Sequence, residues 1–163
     1  MSIEELRGCL RTAGGKEALD AAYKLGLMAN EEANAILIES LRSPLPNVRN
    51  AAALALRDNK VQGAVPVLVE AINNPANSDN RGTLVYALEE MDCGKLFSFL
   101  FRLALDSNYE CRYKALGILQ SRGFWVSDKD VSEAESMLNR YVKSPVRRDD
   151  DELLFVELKD VLV

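Results

Sequence analysis

The densest run of chemistry-bearing side chains is Arg147-Arg148-Asp149-Asp150-Asp151-Glu152. Four consecutive carboxylates could in principle supply a general acid and a general base. Adjacent residues on a helix point in different directions, however, and surface carboxylates keep ordinary pKa values, so paired-carboxylate catalysis is disfavoured. The chain has no histidine. That removes imidazole acid–base chemistry, Ser-His and Cys-His nucleophile pairs, and the commonest metal ligand. Cys9, Cys93 and Cys111 are widely spaced, with no Cys-x-x-Cys pair. No catalytic, cofactor-binding or metal-binding residue is therefore expected. An odd cysteine count without a framework points to a reducing, cytoplasmic setting.

The same residues read better as a surface for binding. Asp149, Asp150, Asp151 and Glu152 make an acidic pad, which Glu89, Glu90 and Asp92 extend if their helix ends come to the same side. The plainer alternative is a solvated turn whose acids favour a helix N-terminus by ~0.3–1 kcal/mol each. Residues 1–126 hold 15 acidic and 14 basic side chains and residues 127–163 hold 10 and 6, so −4 of the net −5 lies in the last stretch. An acidic chain repels a phosphate backbone, which argues against nucleic acid and for a basic protein partner. The single tryptophan, Trp125, follows Gly123-Phe124 in a turn. It is either an exposed hot spot or a plug at the junction of two structural units, and its size favours the plug. Phe97, Phe99 and Phe101 point around a helix and read as core.

These residues must be positioned by a repeat. Ala33–Pro44 aligns without a gap on Ala64–Pro75, 31 residues later, with apolar residues, a Glu and a closing Pro in register. Such self-similarity marks stacked helix pairs. Leu37 and Leu68 should then occupy equivalent buried positions, and Arg49, Arg81 and Arg112, spaced by 32 and 31, equivalent helix positions. Ser2 and Glu5 form a capping box for a helix that Gly14-Gly15 ends. Lys16–Ala29 is the second helix, with Ala18, Leu19, Ala22, Leu25 and Ala29 at helical spacing. Asn30 caps the third helix, which ends at Ser43-Pro44; Leu45-Pro46-Asn47 is the turn before a helix at 48–58. Helices at 64–74, 81–91, 95–106 and 109–121 follow. Ser127 and Asp130 cap the next, and a helix at 149–162 ends the chain. Val65–Val69 is the nearest candidate for a strand, but its twin Ala35–Glu39 is helical. No apolar run approaches the ~20 residues that cross a bilayer, and Met-Ser-Ile-Glu-Glu does not open a signal peptide.

Paired helices of this kind resemble HEAT repeats. The residues that carry the resemblance are Asn47-Val48-Arg49-Asn50-Ala51-Ala52-Ala53-Leu54-Ala55-Leu56 and Ala64-Val65-Pro66-Val67-Leu68-Val69-Glu70-Ala71-Ile72. It covers residues 33–122 well and the ends weakly. The period is shorter than the ~40–47 of long HEAT units and is similar to the short class also found in bilin lyases. The resemblance implies an all-α, right-handed α-solenoid of stacked helix pairs. It would form a single domain over 1–163, with an N-terminal cap at 1–32 and a C-terminal pair at 127–163. In such repeats the recurring Arg bonds a neighbouring Asp or carbonyl; a ligand-binding set of arginines is the alternative. The expected function is non-enzymatic protein binding, most concretely an immunity- or antitoxin-type protein that masks a basic nuclease toxin. A general scaffold, or a bilin-lyase-like or other enzyme, stays open beside it.

Overall fold

The capping box at the N-terminus forms as its residue types require. The Ser2 N–H donates to Glu5 Oε2 at 2.7 Å, and the Glu5 N–H donates to Ser2 Oγ at 3.2 Å. The computed structural model describes residues 1–12, 14–106, 108–121, 123–144, 148 and 151–162, and divides into two units, Met1–Asp92 and Cys93–Val163.

The first unit holds α1 (Ile3–Thr12), α2 (Lys16–Met28), α3 (Glu31–Ser40), α4 (Pro46–Asp58), α5 (Val65–Asn73) and α6 (Gly82–Ala87). Each helix boundary has a local cause. Gly15 adopts φ 64°, a left-handed conformation open to glycine, just before α2. The Asn30 side chain accepts the Ala33 N–H at 2.8 Å and caps α3. Pro46 is the first residue of α4 rather than part of the preceding turn, because the first helical position needs no N–H donor. The expected helix at 81–91 is broken: α6 ends at Ala87 and a 3-10 turn covers Leu88–Glu90. Val65–Val69, the candidate strand, lies within α5, and no strand occurs among the described residues.

Packing follows the repeat. Helices α2, α4 and α6 pack in succession, while α1, α3 and α5 each pair with the helix that follows. Leu6, Leu37 and Leu68 are all buried, as are Leu10, Leu41 and Ile72, then Ala22, Ala53 and Leu84, then Leu25, Leu56 and Ala87. Each set steps by 31 residues. Leu37 and Leu68 are thus equivalent, and the register reaches back into α1 and α2. Burying one leucine contributes roughly 1.5–3 kcal/mol, so these rows hold the stack together. Leu19 is a correction. Ala18, Ala22 and Leu25 turn inward on α2, which leaves Leu19, Tyr23 and Leu27 on its exposed side. Small residues bring α2 and α4 close: a Cβ on Gly26 would stand 3.3 Å from Ala55 Cβ, and Asn59 Nδ2 donates to Gly26 O at 2.7 Å.

The second unit holds α7 (Phe97–Asp106), α8 (Tyr109–Ser121), α9 (Asp128–Val142) and α10 (Asp151–Val161). Helix α7 packs on both α8 and α9, and α10 packs on α8. That accounts for the nearly all-round apolar character of α7, where Phe97, Leu100, Phe101, Leu103, Ala104 and Leu105 are buried. Ser127 and Asp130 form the expected capping box on α9. The architecture is all-α, an α-solenoid of helix pairs.

Candidate partner-binding site

The recurring arginines come first, because they show what this fold does with a cation. Arg49 Nη1 donates to Ser43 O at 2.7 Å, just past the end of α3. Arg81 Nη1 donates to Ile72 O at 3.3 Å, at the end of α5. Arg112 Nε donates to Ala104 O at 3.3 Å, near the end of α7. Arg49 and Arg112 sit in the first turn of α4 and α8, whereas Arg81 stands just before α6, so the expected helix position is shared by two of the three. In each pair the arginine still reaches back to a carbonyl at or near the end of the preceding helix, where a cation also suits the helix dipole. At all three positions one arm of the repeated arginine makes this structural contact.

Arg112 makes one further contact, and it changes the acidic pad. Its Nη2 donates to Asp151 Oδ1 in a buried ion pair. The other Asp151 oxygen accepts the Tyr141 hydroxyl at 3.0 Å and the Arg148 N–H at 2.8 Å. Burial by itself would raise the Asp151 carboxyl, but the Arg148 N–H, the Arg112 guanidinium and the Tyr141 hydroxyl outweigh it and hold the pKa below the usual carboxylate value. The Tyr141 hydroxyl is pushed up, by burial first and then by its bond to Asp151. Asp151 is 1% exposed and is a fold contact, not a surface charge. Its position as the first residue of α10 buries it, which a run of four acids in sequence does not reveal. Glu152 is exposed. Asp149 and Asp150 lie outside the described residues.

In the first unit, Glu89 and Glu90 sit 3.6 Å from Arg57 Nη2, and Glu90 also meets Lys60 Nζ at 3.1 Å. Arg57 in turn stacks over the Tyr86 ring, 4.2 Å from its centroid. The Asp92 N–H donates to Gln62 Oε1 at 2.8 Å. Glu89 and Glu90 are part of a local network, with basic residues already beside them.

Trp125 is the second correction. It does not plug a junction; it is 83% exposed. The plug is Phe124, whose ring meets Phe97 edge-on at 5.8 Å between centroids. The Trp125 N–H is held by Gly94 O at 2.9 Å. A large aromatic surface thus stands in solvent on a pinned backbone, beside the exposed Val126. Its burial state could not be read from the sequence, because Phe124 and Trp125 compete for one hole and only packing decides which enters it.

A pair of clefts in the first unit was not anticipated. One, of about 400 Å³, is lined by Arg7, Arg11, Glu39 and Arg42 among others. The other, of about 740 Å³, is lined by Arg42, Arg49, Glu70, Asn74 and Asn77 among others. Arg7 pairs with Glu39 at 2.8 Å, and Arg42 grips Glu70 through two bonds of 3.1 and 2.7 Å. Both carboxyls are held below the ordinary value, chiefly by those hydrogen bonds. The sequence signal was present in the 31-residue step from Arg11 to Arg42 and from Glu39 to Glu70.

A family model for HEAT repeats matches residues 3–89. The chain belongs to the HEAT-repeat family. The match begins in α1, where the buried rows also begin, at Leu6. HEAT repeats generally mediate protein–protein interaction, and the family is generally non-enzymatic. Comparison with curated proteins gave no match. Among the described residues of this HEAT-repeat protein, no group of three or more Cys, Asp or Glu is placed to hold a metal ion. No helix among them is long and apolar enough to cross a membrane.

Proposed function

We propose that this HEAT-repeat protein is a non-enzymatic binding module for another protein, and that the partner is basic. Its most concrete form is an immunity- or antitoxin-type inhibitor that masks a basic nuclease toxin. The observation that carries the binding reading is Trp125: an exposed tryptophan on a fixed backbone loses little freedom when a partner covers it, and tryptophan is among the residues that dominate interfaces. The net charge of −5 supports a basic partner, since complementary charge speeds capture. In this reading Glu152, with Asp149 and Asp150 beside it in sequence, supplies acidic charge in the second unit, and Glu89, Glu90 and Asp92 supply it in the first. The general role of HEAT repeats favours a second reading, a scaffold that joins partners without inhibiting them.

The test is affinity capture of the partner, followed by binding of the Trp125→Ala variant to it. Loss of about 2 kcal/mol or more of binding, roughly thirtyfold in Kd, is expected with the melting temperature unchanged. Unaltered affinity would remove Trp125 from the interface. A partner that is acidic, or that keeps its full activity in the complex, would overturn the immunity-type reading and leave the scaffold.

A further inference from the structure

We propose that the 740 Å³ cleft of the first unit is a carboxylate-binding site, with Arg49 as the residue that receives the carboxylate of an acidic peptide segment. Arg49 and Arg112 hold the same post in their helix pairs, and each donates to a carbonyl near the end of the preceding helix. Arg112 completes its coordination through Nη2, on Asp151. Nη2 of Arg49 meets no carboxylate among the described residues, and its Nε is buried with no acceptor. Yet Arg49 is only 3% exposed. Burial draws its pKa below the usual arginine value. A guanidinium this far out of water is costly unless a counter-charge meets it. The second unit shows which group the fold uses to meet that need.

The surroundings fit an incoming anion. Across the two neighbouring clefts stand Arg7, Arg11, Arg42 and Arg49, against Glu39 and Glu70. Both glutamates already carry arginine partners. A local excess of cations on a chain of net charge −5 concentrates anionic groups at this place. Asn77 closes part of the wall, its Nδ2 committed to Ala71 O at 2.9 Å. A planar carboxylate suits the fork of a guanidinium, which can present two parallel N–H donors to it.

The test of this site needs no partner. The protein is titrated with N-acetyl-aspartate amide while the arginine Nε–H and backbone amide signals are followed by NMR. A saturable shift of the Arg49 Nε–H, with Ser43, Asn74 and Asn77 moving alongside, is the expected result. N-acetyl-asparagine amide, which has the same shape without the charge, should leave these signals still. N-acetyl-alanine separates the two sources of a carboxylate: a stronger response to it assigns the site to a chain terminus, a weaker one to an acidic side chain. Arg49→Lys keeps the charge and should weaken the response about tenfold, because a point charge lacks the fork. No shift at Arg49 at saturating carboxylate would overturn the proposal. So would inorganic phosphate binding more tightly than either carboxylate, which would reassign the site to a phosphorylated ligand.

Discussion

Asp151 and Arg112 show how much one residue's surroundings matter. Removing one partner of a buried ion pair leaves the other uncompensated. Asp151→Asn should therefore cost about 3 kcal/mol or more of unfolding free energy at pH 7, measured by urea unfolding. The pH dependence has a definite sign. Because the folded state holds the Asp151 carboxyl below its ordinary value, its contribution is fully present above the unfolded pKa of about 3.9 and is lost as pH falls through the folded value. The gap between wild type and Asp151→Asn should narrow as pH drops below about 4. A gap under 1 kcal/mol at pH 7, or one that does not change in acid, would mean that the pair adds nothing to the fold.

At the scale of elements, the contact of α2 with α4 decides how tightly the first pairs stack. Gly26 faces Ala55 across that contact, where even an added Cβ would stand 3.3 Å from Ala55 Cβ and ask the neighbour to give by a few tenths of an ångström. A β-branched side chain there must push the helices apart. Gly26→Val should destabilise the protein by about 1–3 kcal/mol, despite removing a helix-interior glycine. Thermal melts check it, and a neutral or stabilising result would show that α2 can shift outward without loss. The N-cap of α3 offers a milder case. Asn30→Ala removes the acceptor of the Ala33 N–H and should cost about 1 kcal/mol in the same assay.

For the whole molecule, charge and repeat number matter more than any single contact. Asp151 has no place in a neutralised C-terminal run, because its burial makes it part of the fold. The triple variant Asp149→Asn, Asp150→Asn, Glu152→Gln should slow association with a basic partner while leaving the melt unchanged. Stopped-flow rates across a salt series read this out; the wild-type rate should fall past ~0.1 M, where the Debye length is about 10 Å. An unchanged rate at low salt would remove the acidic surface from recognition. Repeat number is tested by deleting residues 127–163. That strips α9 from α7 and α10 from α8, and leaves Arg112 buried without its carboxylate. Loss of cooperative unfolding and aggregation are expected by calorimetry and size-exclusion chromatography. A monomeric truncation with the same melting temperature would make the last pair an appendage.

What the sequence determined by itself is what depends on neighbours along the chain or on a fixed period. The capping boxes at Ser2 and Ser127, the Asn30 cap, the helix breaks at prolines and the 31-residue register of Leu37 with Leu68 are all of this kind. Local hydrogen bonds and recurrent burial leave direct traces in residue type and spacing. The arginine that recurs in each second helix was legible for the same reason, since its carbonyl partner lies only a few residues upstream. Only the tertiary structure decided which member of an adjacent pair is buried. Phe124 rather than Trp125 turned onto the Phe97 ring, Ala18 rather than Leu19 faced inward, and Asp151 rather than Glu152 met a cation 39 residues away. These outcomes turn on a rotation of about 100° per helical residue and on the shape of the space that opposing elements leave, neither of which a residue's own type contains. The carboxylate that Arg49 lacks among the described residues belongs to the same class, because it rests on which parts of the fold come near it.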